Sequence, residues 1–220
     1  MVVTQPQVQA AQRWRRRKEA RPGEILNAAL SCFAERGFAA TRLDDVAHRA
    51  GVTKGTLYLY FPNKEELFKA VVAQALLPNL ERGEALLGGA DGPAAASRSA
   101  AALLTELVGS WAELARAPAA AIPKIVISEA GNFPDLARFY REQVVDRGMA
   151  LLRRVLRLGI ARGEFRAVDI DDAARCVVAP LLLAMLWRHS LGRHEPADFD
   201  PDALSQTHLR LLLDGLRVRS

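Results

Sequence analysis

Only two cysteines, Cys32 and Cys176, occur in the 220 residues. That excludes a disulfide-stapled scaffold, a Cys-x-x-Cys redox pair and a cysteine-rich zinc site, and both thiols are expected to be buried and reduced in a cytoplasmic protein. The apolar run Cys176-Val-Val-Ala-Pro-Leu-Leu-Leu-Ala-Met-Leu-Trp187 falls short of the roughly 18 residues that a bilayer span needs. No apolar block accompanies the basic N-terminal stretch, so neither a secretory leader nor a membrane span is expected. Catalytic signatures are missing as well: no Gly-x-Ser-x-Gly elbow, no His-Glu-x-x-His, and no phosphate loop, since Thr53-Lys-Gly-Thr56 lacks the upstream glycine spacing. His189 and His194 stand five apart without a carboxylate or thiolate cluster, the pattern of surface histidines rather than of metal ligands. No enzyme, cofactor or metal is expected.

What the chain has in abundance is alanine and leucine at helical spacing, with few β-branched runs, and the expected class is therefore all-α. The length suits a small N-terminal domain followed by a larger one of roughly 150 residues. Charge divides the same way. Residues 1–70 hold 12 lysines and arginines against 7 carboxylates, whereas residues 71–220 hold 18 of each, so the whole net charge of +5 sits at the N-terminal end. A basic segment joined to a neutral one is the footprint of a nucleic-acid-binding domain on a partner domain that does not touch nucleic acid. Residues 1–20, with Arg13-Trp-Arg-Arg-Arg-Lys18, are expected as a disordered basic arm; it either follows the DNA backbone or is a solvated run with no specific role.

The segment from Thr41 to Lys69 reads as a helix-turn-helix. Thr41 is expected to cap a helix with Asp44 at the reciprocal capping-box position, and Leu43, Val46, Ala47 and Ala50 fall on one face. Gly51 takes the left-handed turn position, and Thr53 starts the second helix. With the apolar positions turned inward, Thr53, Lys54, Gly55, Thr56, Tyr58 and Tyr60 remain for a duplex: hydroxyls, a cation and free N–H groups for phosphate, with Thr56 and Tyr58 in reach of base edges. Phe61-Pro62 stops that helix, and Asn63 caps the next with Lys64 beside the duplex backbone. Thr41, Arg42 and Leu59 complete the expected DNA-binding set, and His48 is a further candidate for phosphate.

From Pro22 to about Val72 the chain resembles the TetR family of transcriptional regulators, through Glu24-Ile-Leu-Asn-Ala-Ala-Leu-Ser-Cys-Phe-Ala-Glu-Arg-Gly-Phe38 and above all Gly51-Val-Thr-Lys-Gly-Thr-Leu-Tyr-Leu-Tyr-Phe61. It departs at Leu59, where many family members carry a polar side chain or histidine, so a base contact there is apolar, with a thymine methyl as its natural target. The resemblance implies a three-helix DNA-binding domain over residues 21–68 and a helical ligand-binding and dimerisation domain over 69–220. It also implies a homodimer through the last two helices, about 171–192 and 201–217, which reads a palindromic operator in double-stranded DNA. Repression is that family's more frequent outcome.

The rest of the chain is expected to run as helices over 64–87 with a kink at Pro78, over 94–117, over 119–130 interrupted at Pro123, and over 135–162 ending at Gly163, followed by two more begun by Asp169 or Asp171 and by Asp200. The stretch 176–187 is apolar on every face and must be covered all round, either as the central core of a monomer or by a second copy. Trp111, Leu114, Ile125, Phe133, Phe139, Tyr140, Met149, Met185, Trp187 and His189 are candidate linings for a small-molecule effector, each with ordinary core packing as its alternative. The resulting expectation is a cytoplasmic, ligand-responsive regulator that an effector releases from DNA. A helical protein-interaction adaptor is the alternative; it leaves the basic, hydroxyl-rich second helix unexplained.

Overall fold

The computed structural model describes residues 5–88, 98–194 and 200–218, with side chains over 22–88, 98–192, 200 and 203–218. The fold is all-α; the one β-type pairing among the described residues is an isolated bridge between Phe165 and Arg217. The chain divides into two compact units, residues 1–71 and 72–220.

The first unit holds α1 (Gln5–Ala40), α2 (Leu43–Arg49), α3 (Lys54–Tyr60) and the start of α4 (Lys64–Leu87). Helical backbone from Gln5 corrects the expectation of a disordered arm; glutamine, alanine, arginine and lysine, which make up most of residues 5–21, are all good helix formers. Residues 1–4 of that expected arm lie outside the described residues. Gly37, at φ +79, breaks the helical path near its end. The core is built by Ile25, Ala29, Phe33, Phe38, Val46, Leu57, Leu67 and Phe68. Phe33, Phe38 and Phe68 form an aromatic trio with centroids 5.1–5.6 Å apart, two of the three pairs edge-to-face, the arrangement that ring quadrupoles favour.

The second unit holds the rest of α4 with α5 (Ala100–Arg116), α6 (Ala121–Glu129), α7 (Pro134–Tyr140), α8 (Asp146–Ala161), α9 (Ile170–Arg188) and α10 (Pro201–Leu216). Its core is a leucine and valine cluster around Leu103, Leu104, Leu107, Leu152, Val155, Val177 and Leu181. Three boundaries differ from expectation. α5 starts at Ala100 because Ser99 caps it, its hydroxyl accepting from the Ala102 N–H at 3.1 Å; residues 94–97 lie outside the described residues, as do 89–93 of the expected loop. Pro123 does not interrupt α6: it sits in the first turn, where its missing N–H has no intrahelical acceptor to lose. The long helix expected over 135–162 is instead α7 and α8 joined by a π turn, Arg141–Val145. Gly163, at φ +70, ends it. Asp169, not Asp171, caps α9, accepting from the Asp172 N–H at 2.8 Å, while Asp171 pairs with Arg153. No helix among the described residues is long and apolar enough to cross a membrane.

Candidate nucleic-acid interface and ligand cavity

α2 and α3 are joined by a tight turn in which the Gly51 N–H reaches the His48 carbonyl at 3.1 Å and the Val52 N–H reaches the Ala47 carbonyl at 3.0 Å. Gly51 holds φ +64, a left-handed conformation that a Cβ would strain. Thr53 then caps α3 by accepting from the Thr56 N–H at 3.1 Å, and the two hydroxyls meet at 2.9 Å. Phe61 is extended, as a residue before proline must be. Asn63 caps α4, taking the Glu66 N–H at 2.8 Å. A bidentate pair between Arg49 and Glu35, both contacts 2.8 Å, ties α2 to α1; the Arg49 guanidinium beside Glu35 holds that carboxyl below the usual range.

Within α3 only Leu57 is buried. Tyr58, Leu59 and Tyr60 are therefore all presented outward, with Leu59, 85% exposed, the barest large apolar side chain of the described residues. Gly55 and Arg42 are exposed too, and Thr56 is half-buried beneath the cap. Lys54 reaches Asp44 at 2.9 Å and lies 5.9 Å from the Tyr58 ring, but that pair is more than half exposed and is readily exchanged for a phosphate.

Two of the residues expected at the duplex are hydrogen-bonded within the protein. Thr41 is 2% exposed, and its hydroxyl donates to the Gly37 carbonyl at 2.7 Å and the Cys32 carbonyl at 3.2 Å. It caps no helix and closes the end of α1; Arg42 holds the cap position of α2 without a side-chain bond. Lys64 is half-buried: its Nζ donates to the Ala39 carbonyl at 2.9 Å and stands 4.7 Å over the Phe38 ring. It ties α4 to the end of α1. His48 is exposed on α2.

In the second unit, a cavity of about 300 Å³ opens between α4 (Leu76, Asn79, Leu80), α5 (Trp111, Leu114), the turn and helix after it (Ala119, Pro123, Ile127), Tyr140, the π turn (Val144, Val145), α8 (Gly148, Met149) and α9 (Val178, Leu181, Leu182, Met185). Trp111, Leu114, Tyr140, Met149 and Met185 thus come together as expected. Phe133, Phe139, Trp187, His189 and Ile125 do not line it. Ile125 is core, 2% exposed, two residues from the lining position Ile127 and so on the other side of α6. Phe133 precedes α7, its carbonyl accepting from Leu136 and Ala137. Phe139, next to Tyr140 on α7, is half-buried outside the lining. Trp187 lies over Gly192, where an added Cβ would stand 3.0 Å from its ring. His189 caps the end of α9. The residues that sequence reasoning missed on α9, Val178, Leu181 and Leu182, lie seven, four and three positions before Met185; that spacing was a readable signal. Burial pushes the Tyr140 phenol well above its usual range, so it stays a neutral hydroxyl.

Cys176 is exposed, correcting the expectation of a buried thiol. It shares one face of α9 with exposed Ala179 and with Leu183, 54% exposed, while Leu211 on α10 is 67% exposed. Among the described residues, the run 176–187 is therefore covered on one side only. Among the described residues, no three His, Cys, Asp or Glu side chains are grouped to hold a metal.

The family described as "Bacterial regulatory proteins, tetR family" matches residues 25–71, and "Tetracyclin repressor-like, C-terminal domain" matches residues 95–205. The chain is 28% identical over 201 residues to the HTH-type transcriptional repressor KstR2 of Rhodococcus jostii, covering 90% of this chain and 92% of that protein. Among solved structures, it is similar to the ketosteroid transcriptional regulator KstR2 of Mycobacterium tuberculosis, with TM-score 0.70, 26% identity and coverage of 90% and 96%. It also shares its fold with the transcriptional regulator FadR of Bacillus subtilis, solved in complex with stearoyl-CoA, with TM-score 0.66, 22% identity and coverage of 87% and 97%.

Proposed function

The chain belongs to the TetR family of bacterial regulatory proteins and is a DNA-binding transcriptional regulator; from that premise we propose that it is a repressor that binds a palindromic operator as a homodimer and leaves it when a small molecule fills its cavity. The observation that carries this reading is the outward face of α3, where Thr53, Lys54, Tyr58, Leu59 and Tyr60 stand together on a helix that buries only Leu57. Residues 21–68 supply the DNA contacts and residues 69–220 the effector site and the dimer. One seven-residue helix reads too few bases for useful specificity, and two related by a two-fold axis read a palindrome whose half-site spacing matches their separation.

The bare stripe of Cys176, Ala179 and Leu183 on α9 with Leu211 on α10 supports the dimer, because a helix pair covered on one side in the single chain is completed by the same pair from a second copy. Coupling is assigned to α4. This one helix starts in the first unit and contributes Leu76, Asn79 and Leu80 to the cavity wall, so an occupant that prefers a different seating of α4 shifts the population away from the DNA-binding arrangement.

The test is a gel shift of the full chain on the DNA upstream of its own coding region. The expected result is a sequence-specific complex that weakens steeply with salt and weakens further in Tyr58→Ala. Equal affinity for scrambled DNA of the same length rejects the proposal.

A further inference from the structure

Among the described residues the cavity lining has three side chains with polar groups and no charged one: Asn79, Tyr140 and the indole of Trp111 stand among apolar residues, with no lysine, arginine, histidine or carboxylate. Asn79 is already committed to the protein. It is 7% exposed, its amide N–H donates to the Ser110 carbonyl at 3.1 Å, and its carbonyl oxygen lies 3.4 Å from the Ser110 hydroxyl, which donates more closely to the Leu107 carbonyl at 2.8 Å. Tyr140 is not committed. Among the described residues no group hydrogen bonds its hydroxyl, which leaves a donor and an acceptor in a wall whose other heteroatoms are the Asn79 amide, the Trp111 indole N–H and the two thioethers of Met149 and Met185.

We propose that the cavity takes an uncharged, largely apolar molecule with one hydrogen-bonding oxygen, an alcohol or a ketone, which meets the Tyr140 hydroxyl. The identification rests on the reading of this cavity as the effector site. A carboxylate or phosphate moved into such a lining gives up its hydration and finds no cation, and the loss exceeds what one neutral hydroxyl returns. A neutral oxygenated molecule loses little and regains its one hydrogen bond at Tyr140. Size points the same way. At about 300 Å³ the space is at the lower end of the ~300–1,000 Å³ usual for ligand sites, so a large polyanionic carrier has to stay outside and gains nothing from the walls. Trp111, Met149 and Met185 give the apolar body a polarizable surface that adapts to irregular shapes.

The inference is tested by titrating the full chain with decanol, decanoate and decanoyl-coenzyme A by calorimetry at about pH 8, where the free carboxyl is ionised. Decanol is expected to bind at least about ten-fold more tightly than either anion. Tyr140→Phe, which removes a single oxygen, is expected to weaken decanol by about five-fold and to leave decanoate unchanged. Tighter binding of decanoate or of decanoyl-coenzyme A, no binding of any of the three, or equal decanol affinity in Tyr140→Phe overturns the proposal. Repeating the titrations in the presence of bound operator separates the two readings. Decanol that fills the cavity without weakening the DNA complex counts against regulation and leaves the ligand class standing; release by decanoyl-coenzyme A alone supports regulation and overturns the ligand class.

Discussion

Arg147 grips Glu84 with both prongs of its guanidinium, Nε to one carboxylate oxygen at 2.9 Å and Nη2 to the other at 2.8 Å, and so ties α8 to α4. Beside this clamp α4 runs close to its neighbours at Gly83, where an added Cβ would stand 2.9 Å from Leu151 and 3.0 Å from Leu107. Both features hold the part of α4 that continues from the cavity wall, so the rigidity of that helix in the second unit rests on a bidentate pair and a glycine-sized gap.

The clamp predicts a pH dependence. The Arg147 guanidinium holds the Glu84 carboxyl below its ordinary value of 4.5. A carboxylate depressed in the folded state contributes stability that is present above its unfolded value and is lost as pH falls through the folded one. Thermal melts of Glu84→Gln are therefore expected to match the wild type less well at neutral pH than at acid pH, with the difference shrinking as pH drops below 4.5. The pair is partly exposed, so the effect is small and declines with added salt. A difference that grows toward acid contradicts the assignment.

Thr41 is predicted to matter for folding and not for DNA. Thr41→Val leaves the Gly37 and Cys32 carbonyls without their hydroxyl partner and is expected to cost about 1–2 kcal/mol, a drop of several degrees in Tm. Operator affinity measured well below the melting transition stays at the wild-type level. Lost affinity with an unchanged melt returns Thr41 to the interface.

Leu59 is predicted to read a thymine methyl. Replacing single thymines by deoxyuridine through the operator is expected to find one position per half-site where affinity falls by about four-fold, the worth of one buried methyl at about 0.8 kcal/mol. In Leu59→Ala the same replacement has no effect. If the penalty persists in the variant, another side chain makes the contact.

The face shared by α9 and α10 is predicted to hold the dimer. Leu183→Glu places a charge where Leu183 stands 54% exposed in the single chain, so the monomer fold is undisturbed. Analytical ultracentrifugation is expected to show a dimer for the wild type at micromolar concentration and a monomer for the variant, whose operator affinity collapses. A variant that remains dimeric moves the interface elsewhere.

The parts of the fold that were readable in advance are those whose cause lies within a few residues along the chain. Thr53, Asn63, Asp169 and Asp200 each accept from a backbone N–H three residues on, and Gly51 and Gly163 occupy left-handed positions that only glycine takes without strain. The outward character of α3 was legible for the same reason: on a seven-residue helix with one buried position, most of the rest faces out. The cavity was half legible. Its aromatic and thioether members stood out by residue type, whereas plain lining such as Leu76, Val144 and Leu182 looks like any core position.

Sequence alone therefore determined the all-α class, the helix caps, the helix-turn-helix and the segregation of charge, because these depend on neighbours three or four positions away and on composition. Tertiary structure decided the rest. That Thr41 faces a carbonyl nine residues back, that Lys64 reaches Ala39, that Asn79 is held by Ser110 and that Tyr140 has no such partner depend on where one helix lies against another. The same holds for the exposed thiol of Cys176. A side chain's type states what it can bond; only the packing of distant segments determines what it meets.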